Sequence, residues 1–440
     1  RFSAALVAIA VLAPALALGW EALAPSQGLW THLLANVLTQ AMVDTAILLV
    51  GVGLLVMTLG TSAAWLVTAY AFPGRRILEW ALLLPLAVPT YIIAYAYLDI
   101  LHPVGPVQGA IRGLLGYSSP REFRLPDVRS MAGCILLLGF VLYPYVYITT
   151  RAMFLTQAAN LVEVSRTLGV RRSAVFWRVA LPLARPAIAV GVSLALMEAL
   201  NDIGASEFLG VRTLTISVYT TWVTRGDLAG AAQIALAMLA VVVVLVALER
   251  HARRRQRYFA TAQRARRFSP QRLGPMAGVA AFVVGIIPVF IGFVAPATYL
   301  TVEAVKRVEA NGISPRLYGE TLNTILFAGV ATLAVLVFGT VVAYTARALP
   351  GRATALFQRL STLGYAMPGT VLAIGILIPV AALDGLIDRA SQMLFGVPTG
   401  LLLIGSGAAL GYAYVARFLA IAAGSIESGY SRIPRSFDQA

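Results

Sequence analysis

Residues 44–65 read DTAILLVGVGLLVMTLGTSAAW, and residues 323–344 read NTILFAGVATLAVLVFGTVVAY. Each is an apolar run long enough to cross a bilayer as a helix, which takes roughly 20 residues. The two runs are also copies of one another. Asp44-Thr45-Ala46-Ile47-Leu48 is answered by Asn323-Thr324-Ile325-Leu326, Gly60-Thr61 by Gly339-Thr340, and Ala64-Trp65 by Ala343-Tyr344. The likeness continues downstream, where Pro73-Gly74-Arg75 returns as Pro350-Gly351-Arg352 and Pro89 as Pro368. Gly60, Ala64 and Pro89 recur at a constant separation of 279 residues, with a two-residue shift confined to the turn between them. A long fixed period of this kind predicts two homologous halves.

The rest of the composition agrees with a membrane setting. Of 440 residues, 59% are hydrophobic and 12% charged, and the mean hydropathy is +0.82. A soluble domain has about 25% charged residues, so this chain cannot cover a water-exposed surface. That excludes a soluble enzyme, a disordered chain and a secreted disulfide scaffold. The expected fold class is an all-α polytopic membrane protein. Ten spans are read, roughly at 2–20, 42–70, 77–100, 132–152, 187–206, 229–248, 275–298, 321–346, 361–381 and 398–421. Arg1 is not a start methionine, and Phe2–Leu18 has the make-up of a signal peptide. Followed by so many spans, it is read as a first membrane helix whose leading residues lie before Arg1.

Charge sets the orientation. The 34 basic and 19 acidic residues leave a net charge of +15, and the arginines collect in short loops. Arg75–Arg76, Arg151 to Arg185, Arg250 to Arg272, Arg347 to Arg359 and Arg417 to Arg435 fall on one side, which the positive-inside rule makes cytoplasmic. The opposite loops hold Glu21, Glu122, Asp127, Glu207, Asp227, Glu303, Glu309, Asp384 and Asp388, although Arg112, Arg121, Arg124 and Arg129 crowd one of them. The division expected is a first half at 1–248, an Arg-rich cytoplasmic linker at 249–273 and a second half at 274–440. Both halves run in the same direction, and parallel repeats build a pathway along the membrane normal. The single cysteine, Cys134, allows no intrachain disulfide, and His32, His102 and His251 are too far apart for a metal-binding helix.

The most informative cytoplasmic segment reads Glu163-Val164-Ser165-Arg166-Thr167-Leu168-Gly169, then nine residues, then Val179-Ala180-Leu181-Pro182. This is a short helix closed by a glycine, then a connector, then a proline opening the next helix. Leu161, Val164 and Leu168 share one face, with Glu163, Arg166 and Thr167 turned elsewhere. Such a helix docks in a groove of a soluble partner or lies on lipid, which the basic flanks Arg171, Arg172 and Arg178 also suit.

That segment resembles the EAA loop of ABC importer permeases: Glu-Ala-Ala, three residues, Gly, nine residues, then Ile-x-Leu-Pro. Glu163 takes the glutamate position, Val164 and Ser165 the two alanines, Gly169 the glycine, Val179 the isoleucine, and Leu181-Pro182 the close. In that family the loop is the coupling helix seated in a cleft of the ATP-hydrolysing subunit. The resemblance implies a type I ABC importer permease-like fold, with two parallel repeats of about six helices each. A second copy is read in Ser431–Ala440, with Asp438-Gln439-Ala440 at the Glu-Ala-Ala positions. The second repeat is therefore expected to be truncated, the rest of its loop and about two more helices lying beyond Ala440.

The two-half layout resembles the fused permeases that import ferric iron, relatives of the thiamine, sulfate, polyamine and phosphonate permeases. The iron branch is suggested by Glu198-Ala199-Leu200-Asn201-Asp202-Ile203-Gly204 and Glu207-Phe208-Leu209-Gly210-Val211. Further support comes from Thr213-Leu214-Thr215, Tyr219-Thr220-Thr221-Trp222 and Gly226-Asp227-Leu228-Ala229. Glu198 and Asp202 are four apart with Asn201 beside them, so the three can share a face of span five. Carboxylates at membrane depth normally face the bundle interior or a wet cavity, and oxygen ligands suit a hard cation. Glu198, Asn201, Asp202 and Glu207 are thus candidates for the substrate path, the alternative being that they hold helices together. The metal-binding residues are unknown.

Other features are read structurally. Tyr91, Tyr95, Tyr97, Tyr143, Tyr145 and Tyr147 are packing and interface aromatics, Gly407 and Gly411 a helix-packing pair, and Pro89 and Pro368 kinks within spans three and nine. Lys306, the only lysine, lacks the glycines of a phosphate-binding loop. No cofactor is expected in this chain; ATP and Mg²⁺ belong to partner subunits. The partners implied are two copies of an ABC ATPase, an extracytoplasmic substrate-binding protein and the lipid bilayer of a bacterial inner membrane, with no nucleic acid. An ion-gradient transporter is the other transport reading, and its repeats are often inverted. A membrane-embedded enzyme would need a catalytic cluster, and none stands out.

Overall fold

A computed structural model describes residues 2–24, 37–155, 172–254, 270–431 and 433 of the chain. Its helices are α1 (Phe2–Glu21), α2 (Thr39–Ala69), α3 (Arg75–Ala81), α4 (Thr90–Ile100), α5 (Pro106–Leu115), α6 (Met131–Met153), α7 (Leu181–Asn201) and α8 (Gly204–Phe208). They continue as α9 (Leu214–Tyr219), α10 (Leu228–Arg254), α11 (Pro275–Val289), α12 (Ala295–Asn311), α13 (Pro315–Ala348), α14 (Arg352–Ser361), α15 (Gly369–Phe395) and α16 (Gly407–Tyr430). The expectation of pure helix needs one correction. Tyr70–Ala71 (β1) pairs in parallel with Gln271–Arg272 (β2), so the turn after α2 hydrogen-bonds to the chain that follows the Arg-rich linker.

Among the described residues, eight helices are long and apolar enough to cross a membrane, or nine if the bent pair Arg75–Ala87 and Thr90–Ile100 is one span. Of the ten spans expected, the sixth falls on α10, of which Leu228–Val244 is a shorter apolar helix among the described residues. Helix is dictated here because no water is present in the bilayer core to satisfy an open backbone. Large apolar side chains accordingly remain uncovered by protein, such as Ile325 at 65% and Leu333 at 64% exposure.

The chain forms two compact units that interleave along the sequence. One comprises Asn36–Ile216 and Val243–Ala310; the other comprises Arg1–Ala35, Ser217–Val242 and Asn311–Ala440. In the first, α2, α6 and α7 meet at glycines. A methyl group on Gly60 would lie 2.6 Å from Val146 Cβ and 2.8 Å from the Tyr143 carbonyl oxygen. One on Gly191 of α7 would lie 2.6 Å from Val146 Cα. Val146 of α6 is therefore seated between two glycines, which is how membrane helices approach closely without a hydrophobic drive. Helix α11 joins this unit by laying Gly285 against Leu78 and Leu66.

The other unit repeats the pattern. Gly339 of α13 faces Ala422 of α16, where an added methyl would sit at 2.9 Å. Helix α1 completes this unit: Val7 and Val11 form a core with Val342, Leu419 and Ala423, and Pro14 lies against Gly375 of α15. The opening helix of each sequence half is thus packed in the unit that holds most of the other half.

Three sequence readings change. Pro89 and Pro368 do not lie inside continuous helices; each heads one, α4 and α15, with φ of −56°. The first marks a 92° break, because the residue before a proline is driven out of the helical region. Asp384 and Asp388 lie within α15 rather than in a loop. Asp384 is fully buried and accepts the N–H groups of Leu402, Leu403 and Ile404 at 3.1, 2.8 and 2.9 Å. Asp388 takes those of Thr399 and Gly400 at 2.7 and 3.0 Å. The helix runs on past both aspartates because the returning chain supplies their donors. Of the glycine pair in α16, Gly407 packs against the Phe327 ring, while Gly411 has nothing within 4 Å.

Gly60→Val should cost about 1–3 kcal/mol, as overpacking of a tight contact does, whereas Gly411→Val should stay within about 0.5 kcal/mol. Thermal unfolding of the two variants in the same detergent checks this; equal midpoints would refute the assignment of the crossing.

Candidate functional site

The segment 156–171 leaves from α6 and returns towards α7. Of the coupling residues read from the sequence, Glu163, Val164, Ser165, Arg166 and Gly169 lie outside the described residues, as do Asp438, Gln439 and Ala440. Leu181 and Pro182 are described, and open α7. Helical backbone continues upstream of them, through the π-helical stretch Phe176–Ala180 and Arg172–Val175, so Pro182 does not begin a helix as the sequence led one to expect.

Both roots of the segment are described, and they converge on one side chain. Trp65, near the end of α2, meets Phe154 edge-on with ring centroids 5.3 Å apart, and Phe176 at 5.2 Å. Phe154 is completely buried. Aromatic pairs at these separations add about 0.5–1.5 kcal/mol beyond the area they bury. One tryptophan therefore meets the residues on both sides of 156–171.

A second fastening is ionic. Glu79 of α3 places one carboxylate oxygen 3.0 Å from Arg75 Nε and the other 3.1 Å from Arg151 Nη2, on the last turn of α6. Tyr147, one turn earlier on α6, donates its hydroxyl to the Glu79 carbonyl at 2.8 Å. The other repeat has a counterpart: Tyr344, in the place of Trp65, lies 6.4 Å from the Tyr430 ring, and the Arg347 guanidinium sits 5.3 Å above that ring. Arg347 also donates to the carbonyls of Tyr430 and Ile433.

The carboxylates proposed for the substrate path are not one cluster. Helix α7 ends at Asn201, and Asp202 adopts an extended conformation with ψ of 105°, so it does not continue the helical face of Glu198. Its carboxylate instead accepts the Ala205 N–H at 2.7 Å and the Thr90 hydroxyl. An aspartate that bonds the backbone three residues ahead breaks one helix and starts the next. Glu198 and Asn201 are half-buried on the last turn of α7, and Glu207 is exposed on α8. Gly204 lets α8 approach α4, since an added methyl would lie 2.5 Å from Tyr91 Cβ. Asp202, Thr90 and Gly204 thus form a junction between the head of α4, just past the break at Pro89, and the α7–α8 turn.

The aromatics divide by environment. Tyr143 and Tyr147 are buried, while Tyr91 and Tyr95 are about half exposed, and Tyr95 meets Phe208 edge-on at 6.3 Å. Among the described residues no group of three or more His, Cys, Asp or Glu side chains could hold a metal ion. Sequence reasoning missed Glu79 and the role of Trp65. The spacing Arg75–Glu79, four apart on a helix, was a usable signal; its pairing with Arg151 was not, because that depends on how α3 and α6 meet.

Residues 57–258 match the family described as "Binding-protein-dependent transport system inner membrane component". The chain is similar to the molybdenum transport system permease protein ModB of Escherichia coli (strain K12), 30% identical over 191 residues, 42% of this chain and 80% of that protein. It is also similar to the Fe(3+)-transport system permease protein FbpB 2 of Haemophilus influenzae, 25% identical over 203 residues, 46% of this chain and 35% of that protein. A third relative is the sulfate transport system permease protein CysT of Salmonella typhimurium, 27% identical over 150 residues, 34% of this chain and 51% of that protein.

Replacing Asp202 by alanine strands the Ala205 N–H and the Thr90 hydroxyl, and should lower stability by about 1–3 kcal/mol. Thr90→Val in that background should add little, since its partner is already gone. A double-mutant cycle of thermal midpoints tests the pair; fully additive losses would mean that the contact carries no energy.

Proposed function

The chain belongs to the family of binding-protein-dependent transport system inner membrane components, the permease subunits of ABC importers, and we propose that it couples ATP hydrolysis to the import of ferric iron. It is a transport subunit rather than an enzyme, and it crosses the inner membrane several times. The proposal assigns Glu163–Gly169 as the coupling helix of the first half and Asp438-Gln439-Ala440 as the start of the second. Two ATPase subunits, carrying ATP and Mg²⁺, would take one coupling helix each, and an extracytoplasmic binding protein would deliver the cargo to the opposite mouth. The halves are 1–248 and 274–440, joined by the Arg-rich stretch 249–273.

One observation carries the coupling assignment. The spacing from Glu163 through Gly169 to Leu181-Pro182 falls on a segment whose two roots are both held by Trp65. A segment fastened at its base transmits displacement to α6 and α7 instead of swinging free. Transport then needs only contacts that differ between the inward- and outward-facing states, since a ligand or motor shifts an equilibrium by its differential interaction.

The cargo rests on chain organisation. The 203 matched residues are a smaller share of FbpB 2 than of this chain, so FbpB 2 is the longer of the two. ModB is the shorter, because its 191 matched residues make up 80% of it. A chain with two homologous halves goes with the longer relative. Molybdenum or sulfate import is the second reading, favoured by the higher identity to ModB.

Complexes extracted in detergent should carry a P-loop ATPase that the binding protein stimulates. Glu163→Ala and Gly169→Pro should each lower uptake about tenfold or more, in the range of coupling energies that link distant sites; wild-type uptake and ATPase association in both would refute the coupling assignment. Cells lacking the chain should lose uptake of radioactive ferric iron while sulfate and molybdenum uptake stay unchanged. The opposite pattern would establish the second reading.

A further inference from the structure

Glu79 is the only acidic side chain on α3, and it is committed to α6 twice. Its carboxylate holds Arg151 on the last turn of α6, and its carbonyl accepts from Tyr147 one turn earlier. Arg75 occupies the remaining carboxylate oxygen. The Glu79 side chain is 25% exposed and that of Arg151 31%, so the pair is neither a water-screened surface contact nor a fully desolvated one. The carboxylate bridges the two guanidinium groups, one oxygen to each, through Nε of Arg75 and Nη2 of Arg151, and charge-assisted contacts are the stronger kind.

A link at this place recurs in the other repeat. The residue 279 positions after Glu79 is Gln358, on α14, and its amide donates to Glu427 on α16 at 2.7 Å. In both repeats the short helix that follows the Pro-Gly-Arg turn is tied to the end of the long helix that leads into a coupling segment. The first repeat makes that tie with three charged groups, the second with a single amide–carboxylate hydrogen bond.

The far end of the same element is also pinned. From α3 the chain runs through the tight turn Leu84–Ala87 to the break at Pro89, and Thr90 then donates to Asp202 at the α7–α8 junction. The stretch from Arg75 to Thr90 is therefore fastened at one end to the root of the 156–171 segment and at the other to the carboxylate that ends α7. We propose that Glu79 is a positioning residue for transport, which makes α3 and the break at Pro89 move with the root of the coupling segment and so delivers its displacement to the Asp202 junction. The proposal rests on the reading of Glu163–Gly169 as the ATPase-docking helix.

The test uses the whole complex, isolated with its ATPase subunits, returned to lipid vesicles and supplied with binding protein. Ferric iron, sulfate and molybdenum are offered in turn, and ions imported are counted per ATP hydrolysed. Glu79→Gln should keep the ATPase bound and the thermal midpoint within about 2 °C, yet import about tenfold fewer ions per ATP. Glu79→Gln together with Arg151→Gln should lose no more than either alone, because the two act as one unit. Should Glu79→Gln fail to assemble, Arg151→Gln removes the charge that the Glu79 carboxylate holds, and should show the same drop.

A wild-type number of ions per ATP in these variants overturns the proposal. So does a loss that merely follows a fallen midpoint or a lost ATPase, since that marks a structural role. If the wild-type complex carries no ATPase, the coupling reading itself falls, and the role of Glu79 with it.

Discussion

Where α2 crosses α6 there is no room for a methyl group, and much of the first unit follows from that. Gly60 admits Val146, and Gly191 of α7 closes on the same valine from the other side. In lipid, a leucine-rich surface gains nothing by turning inward, so helices associate through close contact and matched shape. Drawing α2 and α6 together at Gly60 brings Trp65, little more than a turn further on, to the level of Phe154. The fastening of the residues that flank 156–171 is thus a consequence of a glycine that has no chemistry of its own.

The same reasoning shows which parts of the molecule were legible in the sequence. The repeat could be read because Gly60 and Gly339 do the same steric work, and Ala64 and Ala343 are buried beside them at 0% and 2% exposure. The apolar runs placed the first four spans to within a few residues, but the ninth and tenth, expected at 361–381 and 398–421, lie further on, at Gly369–Phe395 and Gly407–Tyr430. The ends of helices were harder. Asp202 was read as one more residue on the face of Glu198, although its short side chain competes for backbone donors and ends the helix. Asp384 and Asp388 were read as loop residues because charge usually marks a boundary, yet five backbone N–H groups from residues 399–404 keep them inside α15. In each case the missing information was the position of a donor distant in the chain or across a turn.

The prolines teach a related lesson. Their recurrence at equivalent positions was visible, but a proline reads as a kink only if helix continues on both sides. Here a tight turn precedes each one, at Leu84–Ala87 and Leu363–Ala366, so each starts a helix instead. In the first unit this turns α3 through a right angle to α4 and lets one short stretch touch both the last turn of α6 and the end of α7. The Glu79 fastening was illegible for the same reason: its first partner is four residues away and its second is 72.

The interleaving of the two units has a bearing on how such a chain is made. A cut in the Arg-rich linker would leave Arg1–Ala35 and Ser217–Val242 on one polypeptide and Asn311–Ala440 on the other, dividing one unit; it would equally part Asn36–Ile216 from most of Val243–Ala310. Each product would lack segments that pack in its unit. Translation as a single chain keeps the separated pieces at the high effective concentration that a tether provides, so fusion here works as an assembly chaperone built into the gene.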